Sequence, residues 1–305
     1  MNNYRNNKAE SNIIRTYDEL LMQWEIPVEE FDIPSRYGVT HVITAGEKTA
    51  KPLFLFHGVG DDSALMWIYN AKELAKHYRI YAVDTIGGPG KSKMGDGYNK
   101  DYSDVEWIES LMEAFEIKKA CFVGTSHGGY LVQLFTLKRP DMVERAISIS
   151  GAVPCGSKKG TLRMMMKIFF PEALFPSMKN AVKLLHKMSG DNAAVFTENP
   201  LIVEHYYWLL KGFNNMAMKF HKIDPFTEDE IASIREKVFY LAGEKDLFEQ
   251  MGGKQALLDH GMNVRFYPNA GHGLNHEEAK EINQIIVDIL EGNIHNIRNN
   301  EKIAR

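Results

Sequence analysis

The 305-residue sequence predicts an α/β protein whose sheet is mostly parallel, and three observations carry that expectation. Short, mainly apolar runs recur at 52–56, 80–83, 120–123, 146–150, 238–241 and 264–267. Segments with helical spacing of apolar residues separate most of them, which is the pattern of strands buried on both faces and joined by crossover helices. Apolar residues make up 44% of the chain, enough for a sizeable core.

The first ten residues are polar and expected to fray. Ser11 or Asn12 could cap a first helix, along which Ile13, Ile14, Tyr17, Leu20, Leu21 and Trp24 recur at helical spacing. Pro27 would end it. Two strands follow at 28–33 and 39–45, with Tyr37-Gly38 as a hairpin turn between them. Helices are expected at 63–76, 101–115, 130–137, 255–259 and 277–290, between the apolar strands. The alternation breaks after Ser150 and resumes at 238, so residues 152–236 read as a helical lid inserted into a core made of 1–151 and 237–305. The insertion holds seven of the fifteen methionines together with Phe169, Phe170, Phe175, Trp208 and Phe213, a composition suited to an adaptable apolar underside and equally to the lid's own core. Thr227–Glu230 has the form of a capping box, with Phe226 and Ile231 at the staple positions.

Charge and composition exclude several function classes. A net charge of −4 offers no basic footprint for nucleic acid. No apolar run reaches the length of a membrane span, and the polar N-terminus lacks the apolar core of a signal peptide, so a cytoplasmic location is expected. Cys121 and Cys155 are expected as free thiols, and no cysteine–histidine pair has zinc spacing, so no metal is expected.

Gly124-Thr125-Ser126-His127-Gly128 follows a predicted strand and opens a predicted helix. G-x-S-x-G in that setting places a serine on a sharp, strained turn that lifts its hydroxyl above the sheet, with glycines where strand and helix cross closely. Ser126 is the candidate nucleophile, and the backbone N–H of His127, at the positive end of the helix, a candidate oxyanion donor. The second donor should come from the loop after an earlier strand, and the Val59 amide in His57-Gly58-Val59-Gly60 is placed for it. His57 itself reads as bracing its own loop. Among eleven histidines, His272 is the candidate base because it sits just after the last strand, with His276 as the alternative. Asp246, just after the strand at 238–241, is the candidate carboxylate that orients the base, with Glu244 as the alternative. Gly87-Gly88-Pro89-Gly90-Lys91-Ser92 resembles a phosphate loop superficially, but Thr85 stands where the first glycine is needed, so the segment reads as a glycine-rich turn beside the active site.

HGVG at 57–60, DTIGGPGKS at 84–92, GTSHGG at 124–129, GEKD at 243–246 and AGHG at 270–273 together resemble the α/β-hydrolase superfamily, in its lidded bacterial carboxylesterase-like branch. The resemblance spans about residues 38–290. It implies an eight-stranded, mostly parallel sheet with a helical cap, water as the only co-substrate, and no cofactor. A serine nucleophile sets the chain apart from the haloalkane dehalogenases and epoxide hydrolases of that fold, which use aspartate there. The expected activity is hydrolysis of carboxylic esters with small to moderate apolar groups through an acyl-enzyme, the partner being a small-molecule ester. The same triad could act on C–C, lactone, thioester or amide bonds, and a ligand-binding protein on a hydrolase scaffold is a third reading. Oligomeric state is not readable from the sequence.

Overall fold

The apolar runs become the strands of one mixed sheet. The computed structural model describes residues 2–155, 168–247, 253–294 and 297. Its strands are β1 (Glu29–Ser35), β2 (Gly38–Ala45), β3 (Lys51–Phe56), β4 (Tyr78–Val83), β5 (Lys93–Met94), β6 (Ala120–Thr125), β7 (Val143–Ile149), β8 (Val238–Gly243) and β9 (Asn263–Tyr267). They lie in the order β1-β2-β4-β3-β6-β7-β8-β9, with the two-residue β5 paired to β2. The pairs from β4 through β9 are parallel, while β2 is antiparallel to β1, β4 and β5. This is the mostly parallel eight-strand arrangement expected from the sequence. The extra strand β5 is too short to leave a periodicity signal.

The mainly apolar runs are explained by burial on both faces. Alternate residues of one strand go to opposite sides: Leu53 and Leu55 of β3 pack with Tyr17 and Leu20 of the helix Asn7–Met22, with Trp24 just beyond it, and with Ile282, Ile286 and Ile289 of the helix Ala279–Leu290. Phe54 and Phe56 face the other way, toward Trp107, Ile108 and Leu111 of the helix Asp104–Ala114 and Leu131 and Phe135 of the helix His127–Lys138. Cys121, with its neighbours in β6, is fully buried, and burial pushes its thiol up to about 12; Cys155 is half-buried, and both are free.

Several local expectations are corrected. The first helix starts at Asn7, not after Ser11, because the Asn6 side chain accepts from Ala9 N–H at 2.9 Å and caps it. The residues before it are tied down rather than frayed: the Asn3 amide donates to the carbonyls of Gly88 and Ser92 at 2.8 and 3.1 Å. This helix also ends at Met22, well before Pro27. Gly38 opens β2, so the hairpin turn is Arg36-Tyr37. The expected helix over 63–76 is two short ones, Ser63–Met66 and Ala71–Leu74, and that over 277–290 is Leu274–Glu277 followed by Ala279–Leu290. Helical spacing persists across such breaks, so periodicity alone does not locate them.

Between β7 and β8 the chain carries the helices Met178–Met188, Ala194–Thr197, Pro200–Gly212 and Glu228–Ile234. Residues 156–167 of this stretch, Met164, Met165 and Met166 among them, lie outside the described residues. The capping box is present: Thr227 Oγ1 accepts from Glu230 N–H, the Glu230 carboxylate accepts from Thr227 N–H, and Phe226 and Ile231 are both buried. The helix Pro200–Gly212 packs on the N-terminal helix so closely that a side chain on Gly212 would collide with Ala9. Among the described residues no helix is long and apolar enough to cross a membrane.

Candidate active site

Ser126 is the only residue between β6 and the helix His127–Lys138. Its backbone lies at φ 56° and ψ −113°, in the positive-φ region that a serine occupies only under strain. The strain is held in place by its N–H donating to the Ile149 carbonyl at 2.8 Å on the neighbouring strand. Glycines make the turn possible. A Cβ on Gly124 would collide with the Gly128 carbonyl, and one on Gly128 with the Phe56 carbonyl oxygen. Gly128→Ala is therefore expected to cost at least ~3 kcal/mol in a urea-unfolding measurement, because backbone rather than a mobile side chain blocks the methyl group.

The loop after β3 abuts this turn. A Cβ on Gly58 would stand 3.3 Å from the Ser126 Cβ, closer than an ordinary contact, so the loop lies tight against the serine. His57 braces the loop as expected: Nδ1 donates to the Gly58 carbonyl at 2.8 Å and Nε2 accepts from Thr85 N–H at 2.9 Å. Burial lowers its pKa, keeping the ring neutral, as this pairing requires. The Val59 side chain is exposed, leaving its backbone at the lip of the site. His127 is the first residue of its helix, where N–H groups lack intrahelical acceptors.

His272 Nδ1 lies 2.7 Å from Asp246 Oδ2. Asp246 is fully buried just after β8, and His272, slightly exposed, follows β9. A proton on Nδ1 donates to the carboxylate and makes Nε2 the basic nitrogen. Val59, Ser126, Asp246 and His272 all follow the C-terminal ends of parallel strands, so they gather at one edge of the sheet. The alternatives are engaged elsewhere. His276 Nε2 donates to the Leu65 carbonyl at 3.1 Å, and burial pushes its pKa down to about 4. Glu244 pairs with Lys254.

Two features of the surroundings were not legible in the sequence. The His272 loop is clamped: His272 N–H donates to the Met188 carbonyl at 2.7 Å, and the Glu277 carboxylate accepts from Gly271 and Gly190 N–H at 2.9 and 2.7 Å. Burial raises the Glu277 pKa, and these N–H groups act against that rise. The second feature is a fully buried array in which His205 Nε2 meets Asp62 Oδ2 at 2.7 Å and His205 Nδ1 meets Thr16 Oγ1 at 2.6 Å. Burial opposes ionisation of Asp62, but the His205 charge and hydrogen bond, with Leu65 N–H, hold its carboxyl below the usual range. Shielded from solvent, this array ties the N-terminal helix and the insertion to the loop after β3. The segments involved are too far apart in the chain for any spacing rule to link them.

The glycine-rich turn at 87–92 is filled by protein groups. The Asp84 carboxylate accepts from Lys91 N–H at 2.8 Å and from the Tyr17 hydroxyl at 3.0 Å, and Gly90 N–H donates to the Tyr4 hydroxyl at 2.9 Å. Amides that would cradle a phosphate in a true phosphate loop are thus already bonded to the chain itself.

A family model described as the alpha/beta hydrolase fold matches residues 51–174. The crystal structure of carboxylesterase CesB (YbfK) from Bacillus subtilis superposes with a TM-score of 0.79 at 26% identity, covering 94% of this chain and all of that one. This chain has the α/β-hydrolase fold. The chain is 29% identical to the Bacillus subtilis protein named carboxylesterase YbfK over 287 residues, which are 92% of this chain and 94% of that protein. It is 28% identical over 285 residues to a second Bacillus subtilis protein, named uncharacterized carboxylesterase nap, at 90% coverage of both. It is thus a serine hydrolase related to carboxylesterases.

Proposed function

We propose that this protein cleaves carboxylic esters with small to moderate apolar groups through an acyl-enzyme formed on Ser126. The observation that carries the reading is the 2.7 Å contact of His272 Nδ1 with the buried Asp246 carboxylate, at the sheet edge where the strained turn presents Ser126. His272 Nε2 takes the Ser126 proton as the hydroxyl oxygen attacks the ester carbonyl. The Val59 and His127 amides hold the resulting oxyanion. His272 then protonates the departing alcohol, and in the second half-reaction activates water to release the acid. Asp246 fixes the productive tautomer and stabilises the imidazolium without taking the proton.

Residues 152–236 act as a lid in this reading. Support comes from their position between β7 and β8 and from the Met188 carbonyl, which holds His272 N–H. The relatives named as carboxylesterases support the ester class. The test is a panel of p-nitrophenyl esters from acetate to decanoate, run beside a lactone, a thioester and an anilide. Turnover is expected to be highest for the short and middle-length esters. No ester turnover, with clear turnover of one of the other three, would overturn the ester assignment.

A further inference from the structure

A cluster outside the proposed triad joins three remote parts of the chain. Asp104 opens the helix Asp104–Ala114, His127 opens the helix His127–Lys138, and His221 lies in the insertion. One donor atom from each lies within 4.8 Å of the other two. His221 Nε2 donates to the Ile86 carbonyl at 2.7 Å, and its Nδ1 shares a proton with Asp104 Oδ1 at 2.6 Å. His127 is 5% exposed, and neither of its ring nitrogens has a hydrogen-bond partner among the described residues. Leaving a buried polar group unpaired carries a desolvation penalty, which a ligand for that ring relieves. The rings of Tyr98, Tyr102 and Trp107 lie 5.8, 4.9 and 6.3 Å from His221 and wall off the cluster.

We propose that Asp104, His127 and His221 bind a divalent transition-metal ion of the zinc class. Two imidazoles and one carboxylate are the donors zinc takes, whereas calcium and magnesium prefer all-oxygen shells. Three protein donors leave one position for water. The Ile86 carbonyl fixes the His221 tautomer and ring direction, the service an orienting acceptor gives to a metal-bound histidine. Bonds of about 2.0–2.1 Å to a tetrahedral ion set donor atoms roughly 3.3 Å apart, so the 2.6 Å His221–Asp104 contact opens and the His127 ring closes in, both by side-chain rotation. Bound there, the ion displaces the proton shared by His221 and Asp104. It ties the insertion to the helix that begins at the Ser126 turn. The assignment is independent of the hydrolytic reading, since it uses the His127 ring and not its amide.

The full-length chain, stripped with a chelator, is titrated with Co2+ as a spectroscopic probe and with Zn2+ in a thermal melt. One equivalent of Co2+ is expected to bind with the visible bands of a four-coordinate site, and Zn2+ is expected to raise the melting temperature. Asp104→Asn and His221→Gln are expected to abolish both effects while still melting cooperatively, and His77→Gln, at an exposed histidine, to leave them unchanged. Binding without stoichiometry, or binding that survives both substitutions, overturns the site. Should either variant not fold, X-ray absorption of the zinc-loaded wild type decides. Two imidazole donors with oxygen are expected, and an oxygen-only shell refutes the proposal.

Discussion

Ser126→Ala is expected to lower kcat/KM on a p-nitrophenyl ester by about 10⁴- to 10⁶-fold and to leave the melting temperature almost unchanged. The size follows from the step removed. Without the hydroxyl no acyl-enzyme forms, and what remains is whatever the oxyanion donors and binding can do for direct attack by water. The small stability effect follows from the backbone. Ser126 and an alanine in its place bear the same positive φ, and the glycine contacts and the Ser126 N–H bond to Ile149 persist. Labelling with a fluorophosphonate is expected to attach one equivalent to the wild type and none to the variant. Equal ester turnover by both proteins would remove Ser126 from the mechanism.

Asp246→Asn is expected to lower kcat by about 10⁴-fold with KM little changed. Size and burial are nearly conserved, so the readout isolates the proton. The Asp246 carboxylate can only accept, which places the proton on His272 Nδ1 and the lone pair on Nε2. An asparagine amide can donate to Nδ1, which favours the opposite tautomer with no base facing the serine. The rate of fluorophosphonate labelling is expected to fall in parallel, since it uses the same activated hydroxyl. A variant that keeps wild-type kcat would show that the 2.7 Å contact is structural.

How far the sequence reaches differs from element to element. The core strands were legible because burial on both faces produces mainly apolar runs. The Ser126 turn was legible because its chemistry is local: a strained residue flanked by glycines, with strand before and helix after. The choice of His272 and Asp246 over His276 and Glu244 rests on position after a strand, and the structure brings those two side chains to 2.7 Å. The N-terminus was misread because the composition of its first residues says nothing about the Gly88 and Ser92 carbonyls that Asn3 finds in the fold. Helix breaks near Trp67 and Glu278 were missed because apolar spacing continues through them.

The sequence by itself determined the parallel sheet and the strained turn at Ser126, since each arises from periodicity or a short motif. Only the tertiary structure decided the clamp of Glu277 on the base loop, the buried Thr16–His205–Asp62 array and the meeting of Asp104, His127 and His221. Those groups are separated along the chain by tens of residues or sit on elements whose relative placement no local pattern encodes. Side-chain contacts of that kind are set by how helices and loops pack on the sheet, and packing is a property of the whole fold.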